Sequence, residues 1–353
     1  NGSAEAWLAG LVGSLAALLD QPVDAPLPLL LPAECAQLEH WEQGEAIPAP
    51  AATMAELFSR HAAEGPDRPA IITDSACHSY AEINGAAQVL AARLRDLHVL
   101  PGGTVGVYTE RSASLPMVIL AIWQAGACYL PLVEGLPEDR LAFNARDAAI
   151  DVLLVLDGLA PPEALLAGAY SVLHLGDALA ASADIGGTAP APIASSPAGP
   201  AVILYTSGST GTPKGVVMSH AGVMNLGLGL ARMHGTTERD RTLSITSPSF
   251  DLWLSDLVGT WFAAAAILPA TRAEMEDLDH MRGKMRRLGV TIATMTPSYL
   301  RMFDQAEFPD LRLLMTVGEA PVLPDARFYA ERLAYCNGYG PTETVTTPLI
   351  WLA

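Results

Sequence analysis

Ala201-Val202-Ile203-Leu204-Tyr205-Thr206-Ser207-Gly208-Ser209-Thr210-Gly211-Thr212-Pro213-Lys214-Gly215-Val216-Val217-Met218 is the stretch on which the reading of this chain turns. Its first five residues are apolar and β-favouring, the composition of a buried strand. The next ten hold three glycines, five hydroxyls and one lysine. Glycines let the backbone approach an anion and expose its N–H groups. Hydroxyls donate to phosphate oxygens, and lysine adds a point charge. Val216-Val217-Met218 resumes as a second strand, and His220 opens a helix. A plain Ser/Gly hairpin does not account for the Pro213-Lys214-Gly215 exit. A Walker loop needs G-x-x-x-x-G-K-[ST] leading into a helix. Here Gly208 is followed by Lys214, Gly215 and a strand, so that reading fails on spacing.

The surroundings alternate strand and helix. The sequence predicts strands at Ala70–Ile72, Thr104–Tyr108, Asp151–Val155 and Ser171–Leu175, with helices from Met54, over Tyr80–Leu97 and over Ser114–Gln124. That alternation predicts an α/β fold with mainly parallel sheets covered on both faces. Leu115–Leu132 carries no charge, but Pro116, Gly126 and Pro131 punctuate it, so it reads as a buried helix entering a strand rather than a membrane span. Residues 181–200 are rich in Ala, Gly, Ser and Pro and read as a surface loop.

Before residue 51 the pattern differs. Trp7, Leu8, Leu11, Val12, Leu15 and Leu18 form one helical stripe, Pro22, Pro26 and Pro28 end it, and a shorter amphipathic stretch covers Glu34–Trp41. Residues 1–50 are therefore expected to form a helical leader, and residues 51–353 an incomplete larger domain.

The whole chain has 353 residues, half of them hydrophobic, with 20 Lys+Arg against 38 Asp+Glu and a net charge of -18. It can bury large cores and is a poor nonspecific polyanion binder, so no nucleic-acid partner is expected. Any phosphate must be met by a local site. Cys35, Cys77, Cys128 and Cys336 are scattered, without metal-ligand or disulfide spacing, and no basic-then-apolar signal leads the chain. Free thiols, a cytoplasmic setting and no membrane association are the expectation.

Tyr205–Gly215 resembles the phosphate loop of adenylate-forming enzymes, the superfamily of acyl- and aryl-CoA ligases, luciferases and nonribosomal peptide synthetase adenylation domains. Ser79-Tyr80-Ala81-Glu82-Ile83 and Gln124–Leu132 are similar to core motifs of the peptide synthetase branch, with Val133 replacing the usual aspartate. Ser249-Phe250-Asp251, Val317-Gly318-Glu319-Ala320 and Asn337-Gly338-Tyr339-Gly340-Pro341-Thr342-Glu343 resemble further motifs of that branch. The leader resembles the linker joining a condensation domain to an adenylation domain. The resemblance implies the N-terminal core of an adenylation domain, with parallel sheets sandwiched by helices in αβαβα layers. The implied activity is ATP-dependent activation of an α-amino acid as aminoacyl-adenylate. The acyl group would be loaded on the phosphopantetheine thiol of a separate carrier protein during natural-product synthesis.

The resemblance also assigns roles. Thr206, Ser207, Gly208, Ser209, Thr210, Gly211, Thr212 and Lys214 would contact ATP phosphates. Gly318, Glu319 and Ala320 would line one face of adenine and Tyr339 the other, with Gly338 beside them and Asn337 on the adenine amino group. Thr342 would reach the α-phosphate and Glu343 would hold Mg²⁺. Lys214, Thr342 and Glu343 form the expected catalytic set. Asp251 would pair with the substrate ammonium, a role that acyl- or aryl-CoA ligases do not need. Its alternative role is an N-cap for the following helix. Leu252, Ser255, Thr294, Met315, Val317, Gly338, Thr346 and Thr347 would line the side-chain pocket. None is charged, which points to a neutral amino acid of medium to large size. His220 reads as a helix-start or packing residue rather than a base.

The chain ends ten residues after Glu343. The family's T-G-D motif, hinge and small C-terminal domain with its bridging lysine are thus expected to be absent, and adenylation by the fragment weak. The alternatives are an acyl- or aryl-CoA ligase relative and a noncatalytic module that binds nucleotide or a partner.

Overall fold

A computed structural model describes residues 8–13, 16, 30, 32–43, 48, 50–180, 195–207, 212–344 and 349–352. The chain divides into two units, Asn1–Pro48 and Ala49–Ala353. In the first, Pro32–Gln43 is an α-helix.

Three helix starts among the described residues of the second unit are written in the sequence as S/T-x-x-E, one of them Thr271 with Glu274 ahead of Arg272–Glu276. Thr53 and Glu56 close a capping box ahead of the helix Met54–Glu64, and Ser79 with Glu82 does so ahead of Tyr80–Asp96. Each pair satisfies two backbone N–H groups that a helix start leaves unpaired. Leu115–Gln124 is buried on every side, as a helix that is apolar all round must be.

Among the described residues, fourteen strands form two sheets. They are β1 (Pro69–Ile72), β2 (Cys77–Ser79), β3 (Thr104–Thr109), β4 (Cys128–Val133), β5 (Val152–Val155), β6 (Ser171–His174) and β7 (Pro200–Thr206), then β8 (Lys214–Ser219), β9 (Arg241–Ser244), β10 (Ala266–Pro269), β11 (Ile292–Met295), β12 (Leu313–Val317), β13 (Ala334–Tyr339) and β14 (Leu349–Leu352). The first sheet runs β14-β13-β12-β11-β9-β10-β1-β2 and the second β6-β5-β3-β4-β7-β8. Interior pairings are parallel, and only the β1–β2, β13–β14 and β7–β8 pairs at the edges are antiparallel. The central strands are continuous apolar runs because both faces are covered.

One core gathers residues from both sheets around shared helices. Ile71 and Ile267 come from the first sheet and Val105, Tyr129 and Val202 from the second; Phe58, Leu90, Ile119 and Leu257 come from the helices between. Trp123 Nε1 donates to Ala201 O at 2.9 Å and Tyr80 Oη to Ala265 O at 2.8 Å, tying these helices to opposite sheets. A second core packs Met281, Leu300 and Tyr329 on the outer face of the first sheet, and a third packs Leu141 and Leu165 on the outer face of the other. The layers are therefore αβαβα.

Lys284 is buried to 1% exposure on the helix Leu278–Arg287. Its ammonium donates to Glu274 Oε1 at 2.6 Å and to Pro269 O at 3.3 Å. His220 is also buried, edge-on to Trp123, while Ser219 caps the helix. The histidine thus packs and does not cap. All four cysteines are free. Among the described residues no helix is long and apolar enough to cross a membrane.

Candidate functional site

The site forms where β7, β8 and the C-terminal ends of β11, β12 and β13 meet the helix Asp251–Phe262. Such a crevice beyond the strand ends is where open α/β sheets bind ligands. Thr206 ends β7, opposite Lys214 at the start of exposed β8. Ser207, Thr212 and Lys214 are exposed. Gly208, Ser209, Thr210 and Gly211 lie outside the described residues, as do Thr346 and Thr347.

Glu343 sits on the 3₁₀ turn Thr342–Thr344 that follows β13. Thr206 Oγ1 donates to Glu343 Oε1 at 3.5 Å, so the phosphate-loop strand touches the carboxylate expected to hold a metal. The preceding residue, Thr342, lies against the Asp251 carboxylate, and both line the same cavity. Burial is the main influence on Asp251 and pushes its carboxyl above the ordinary carboxylate range, with nearby Glu343 adding to the rise. Asp251 is the first residue of its helix; the N-cap position belongs to Phe250, whose side chain makes no cap.

Asp251, Leu252, Val317, Gly318 and Thr342 share the wall of a cavity of about 630 Å³. The sequence reading missed Arg111, Met295 and Tyr299, which share it. Arg111 Nε donates to Ile245 O at 2.8 Å, and burial chiefly lowers its pKa from the usual guanidinium value. Ser255, Thr294 and Met315 lie elsewhere, around a small void of about 10 Å³ that includes Asp256. The residues assigned to one side-chain pocket therefore fall on two levels along the same helix and strands. Both levels carry a charged residue type, which the sequence reading did not expect. An acid inside the apolar run Leu252–Phe262 was the available signal for Asp256.

Gly318 follows β12 with φ +89°, a conformation that favours glycine. Glu319 accepts from the Ser298 N–H at 3.0 Å, and Ala320 is exposed. Asn337 donates its amide to Thr316 O and Oγ1, both at 3.0 Å. Gly338 is buried beside Val317, and Tyr339 is 68% exposed at the end of β13. Away from this site, Asp74, Glu274 and His280 also converge, though no spacing in the sequence marks His280 as a ligand. Arg287 and Lys284 already neutralise those carboxylates.

The layered fold is that of the N-terminal subdomain of adenylate-forming enzymes. Residues 58–350 match the family described as AMP-binding enzyme, and the chain belongs to that family. What it holds is the N-terminal core of an adenylation domain like those of nonribosomal peptide synthetases. Tyrocidine synthase 2 of Brevibacillus parabrevis is 31% identical over 301 residues, covering 85% of this chain and 8% of that protein. The chain thus spans a small share of the length of that relative. The nonribosomal peptide synthetase FmoA3, solved in an α-methyl-L-serine-AMP bound form, superposes with a TM-score of 0.82 at 27% identity, covering 99% of this chain and 40% of that one. The N-terminal subdomain of Klebsiella oxytoca NpsA, solved with 3-hydroxybenzoyl-AMSN, gives a TM-score of 0.73 at 24% identity, covering 86% of this chain and 76% of that one.

Proposed function

We propose that this chain is the substrate-binding core of a domain that activates an α-amino acid with ATP. The observation that carries the reading is that Thr206 meets Glu343, whose neighbour Thr342 shares the wall of the large cavity with Asp251. It sets an ammonium-seeking carboxylate beside the groups suited to a nucleotide phosphate. In the reaction a carboxylate oxygen of the amino acid bonds to the α-phosphorus while the bond to pyrophosphate breaks. Two anions must meet, so positioning and charge neutralisation carry the rate.

The chain's groups divide that work. Thr206, Ser207, Gly208, Ser209, Thr210, Gly211, Thr212 and Lys214 hold the β- and γ-phosphates, with the lysine supplying charge. Thr342 reaches the α-phosphate. The Asn337 amide is held by Thr316, which leaves its carbonyl oxygen to accept from the adenine amino group. Tyr339 covers one face of the ring, and Gly318, Glu319 and Ala320 the other. The Glu343 carboxylate beside the Thr206 hydroxyl is a hard-oxygen set that fits Mg²⁺, with Glu343 as the ligand. When bound, that ion would neutralise phosphate charge. Asp251 receives the substrate ammonium. A buried carboxylate without a cation is costly, which disfavours fatty and aryl acids as substrates.

The FmoA3 complex with an aminoacyl-adenylate supports the amino-acid reading. By the same likeness the acyl group passes to a phosphopantetheine thiol on a carrier protein, and the leader is the linker from a condensation domain. The setting inferred is the cytoplasm. Amino-acid-dependent exchange of pyrophosphate into ATP, measured on the synthetase containing this chain, tests the reading. Exchange driven by neutral α-amino acids and lost in Glu343→Gln supports it. Exchange driven only by aryl or fatty acids refutes it.

A further inference from the structure

The helix Asp251–Phe262 is buried almost throughout and carries a second acid among leucines, Asp256 between Leu254 and Leu257. Asp256 is 5% exposed. Its carboxyl lies beside the Thr294 hydroxyl, and its buried Oδ2 has no partner. The void of about 10 Å³ beside it is shared with Ser255, Thr294 and Met315, three residues assigned to the substrate side-chain pocket. His234 lines the same void, and its Nε2 is also unpartnered. A void of that size holds about one water. Burial raises the Asp256 carboxyl well above the carboxylate range. That shift favours the protonated carboxyl, which can donate as well as accept. A fourth leucine would suit this helix, yet the chain places there a polar group with an unpartnered oxygen. Leaving such a group unpaired is costly, and a polar ligand group arriving at it removes that penalty.

We propose that Asp256 is a specificity-determining residue at the floor of the side-chain pocket. It selects an amino acid bearing a hydroxyl or amide over the aliphatic isostere, by a hydrogen bond made directly or across one water. The inference rests on the amino-acid reading of the site. It adds to that reading the chemical class of the side chain.

The test is calorimetric titration of the chain with 5′-O-sulfamoyladenosine derivatives of threonine and valine, and of asparagine and leucine. These stable mimics of the aminoacyl-adenylate make catalysis unnecessary. The polar member of at least one pair is expected to bind roughly 10- to 100-fold more tightly, as befits a site built to satisfy a polar group. Asp256→Leu should collapse that ratio to near one, and Asp256→Asn, which keeps volume and hydrogen bonding, should retain part of it. Equal affinities within both pairs in the unaltered protein would overturn the proposal. So would a ratio that survives Asp256→Leu, because Asp256 would then hold only a trapped water. If no aminoacyl derivative binds more tightly than AMP, the amino-acid reading itself fails and the proposal falls with it.

Discussion

Lys284 offers the sharpest test of the packing that supports the site. Its ammonium is fully buried and meets Glu274 at 2.6 Å. Burial pushes Glu274 up, but hydrogen bonds from Lys284 and from Thr271 outweigh it and hold the carboxyl below its ordinary range. Glu274 also closes a capping box with Thr271. Glu274→Gln keeps a side-chain acceptor for that cap and removes only the charge. The ammonium would be left with Pro269 O as its described partner, and an uncompensated buried charge costs about 3–5 kcal/mol. Lys284→Met removes the buried charge and keeps most of the packed stem. Glu274 then remains 20% exposed, with Thr271 and His280 beside it, so the loss should be about 1 kcal/mol or less. The double variant should regain most of what Glu274→Gln loses, a coupling of about 2 kcal/mol or more. Urea unfolding followed by tryptophan fluorescence reads all four proteins, with buried Trp123 and Trp261 as reporters. Equal losses in the two single variants, or additive losses in the double, would refute the reasoning.

Two other expectations concern titration and backbone. Burial lowers both His234 and His220 from 6.5 to about 4, with Arg312 adding to the effect at His234. The unfolded chain protonates these rings first as pH falls, so stability should be full above about 6.5 and decline down to about 4. The ceiling is about 3 kcal/mol per histidine, at 1.36 kcal/mol per unit. Urea midpoints at neutral and mildly acid pH check this, and His234→Gln should flatten the slope; an unchanged slope counts against the account. Gly318→Ala meets only Thr296 Cγ2 at 4.0 Å, so space is not the difficulty. The positive φ should still cost about 1–2 kcal/mol in the unfolding midpoint. A neutral or stabilising outcome, as at an ordinary glycine, would contradict that conformation.

The layers of the fold were legible because their signals are local. A five-residue apolar run before a glycine-rich loop can hardly be other than a buried strand. Ser79 and Glu82 announce a helix start by spacing alone. The pairing of β1 with β10, far along the chain, carries no such signal, since strand order follows from how both sheets share the helices around Trp123 and Trp261. The same limit applies to side chains. Lys284 lies in the charged stretch Leu278–Arg287 and reads as solvated, yet packing turns it inward. Asp256 gains its meaning only from Thr294 on the strand β11. Arg111 reaches the cavity only because its Nε is fixed on Ile245 O. Asp251 stood out through its motif. Its contact with Thr342, nearly a hundred positions later, needed the fold.

The central claim is that Asp251 reads a substrate ammonium. Calorimetry compares an aminoacyl-sulfamoyladenosine with its counterpart lacking the amino group, on the unaltered chain and on Asp251→Ala. The account predicts roughly 10- to 100-fold tighter binding of the amino form, the range of a hydrogen bond to a charged group, and loss of that preference in the variant. Equal binding of the two compounds by the unaltered chain, or a preference that persists in Asp251→Ala, would contradict it.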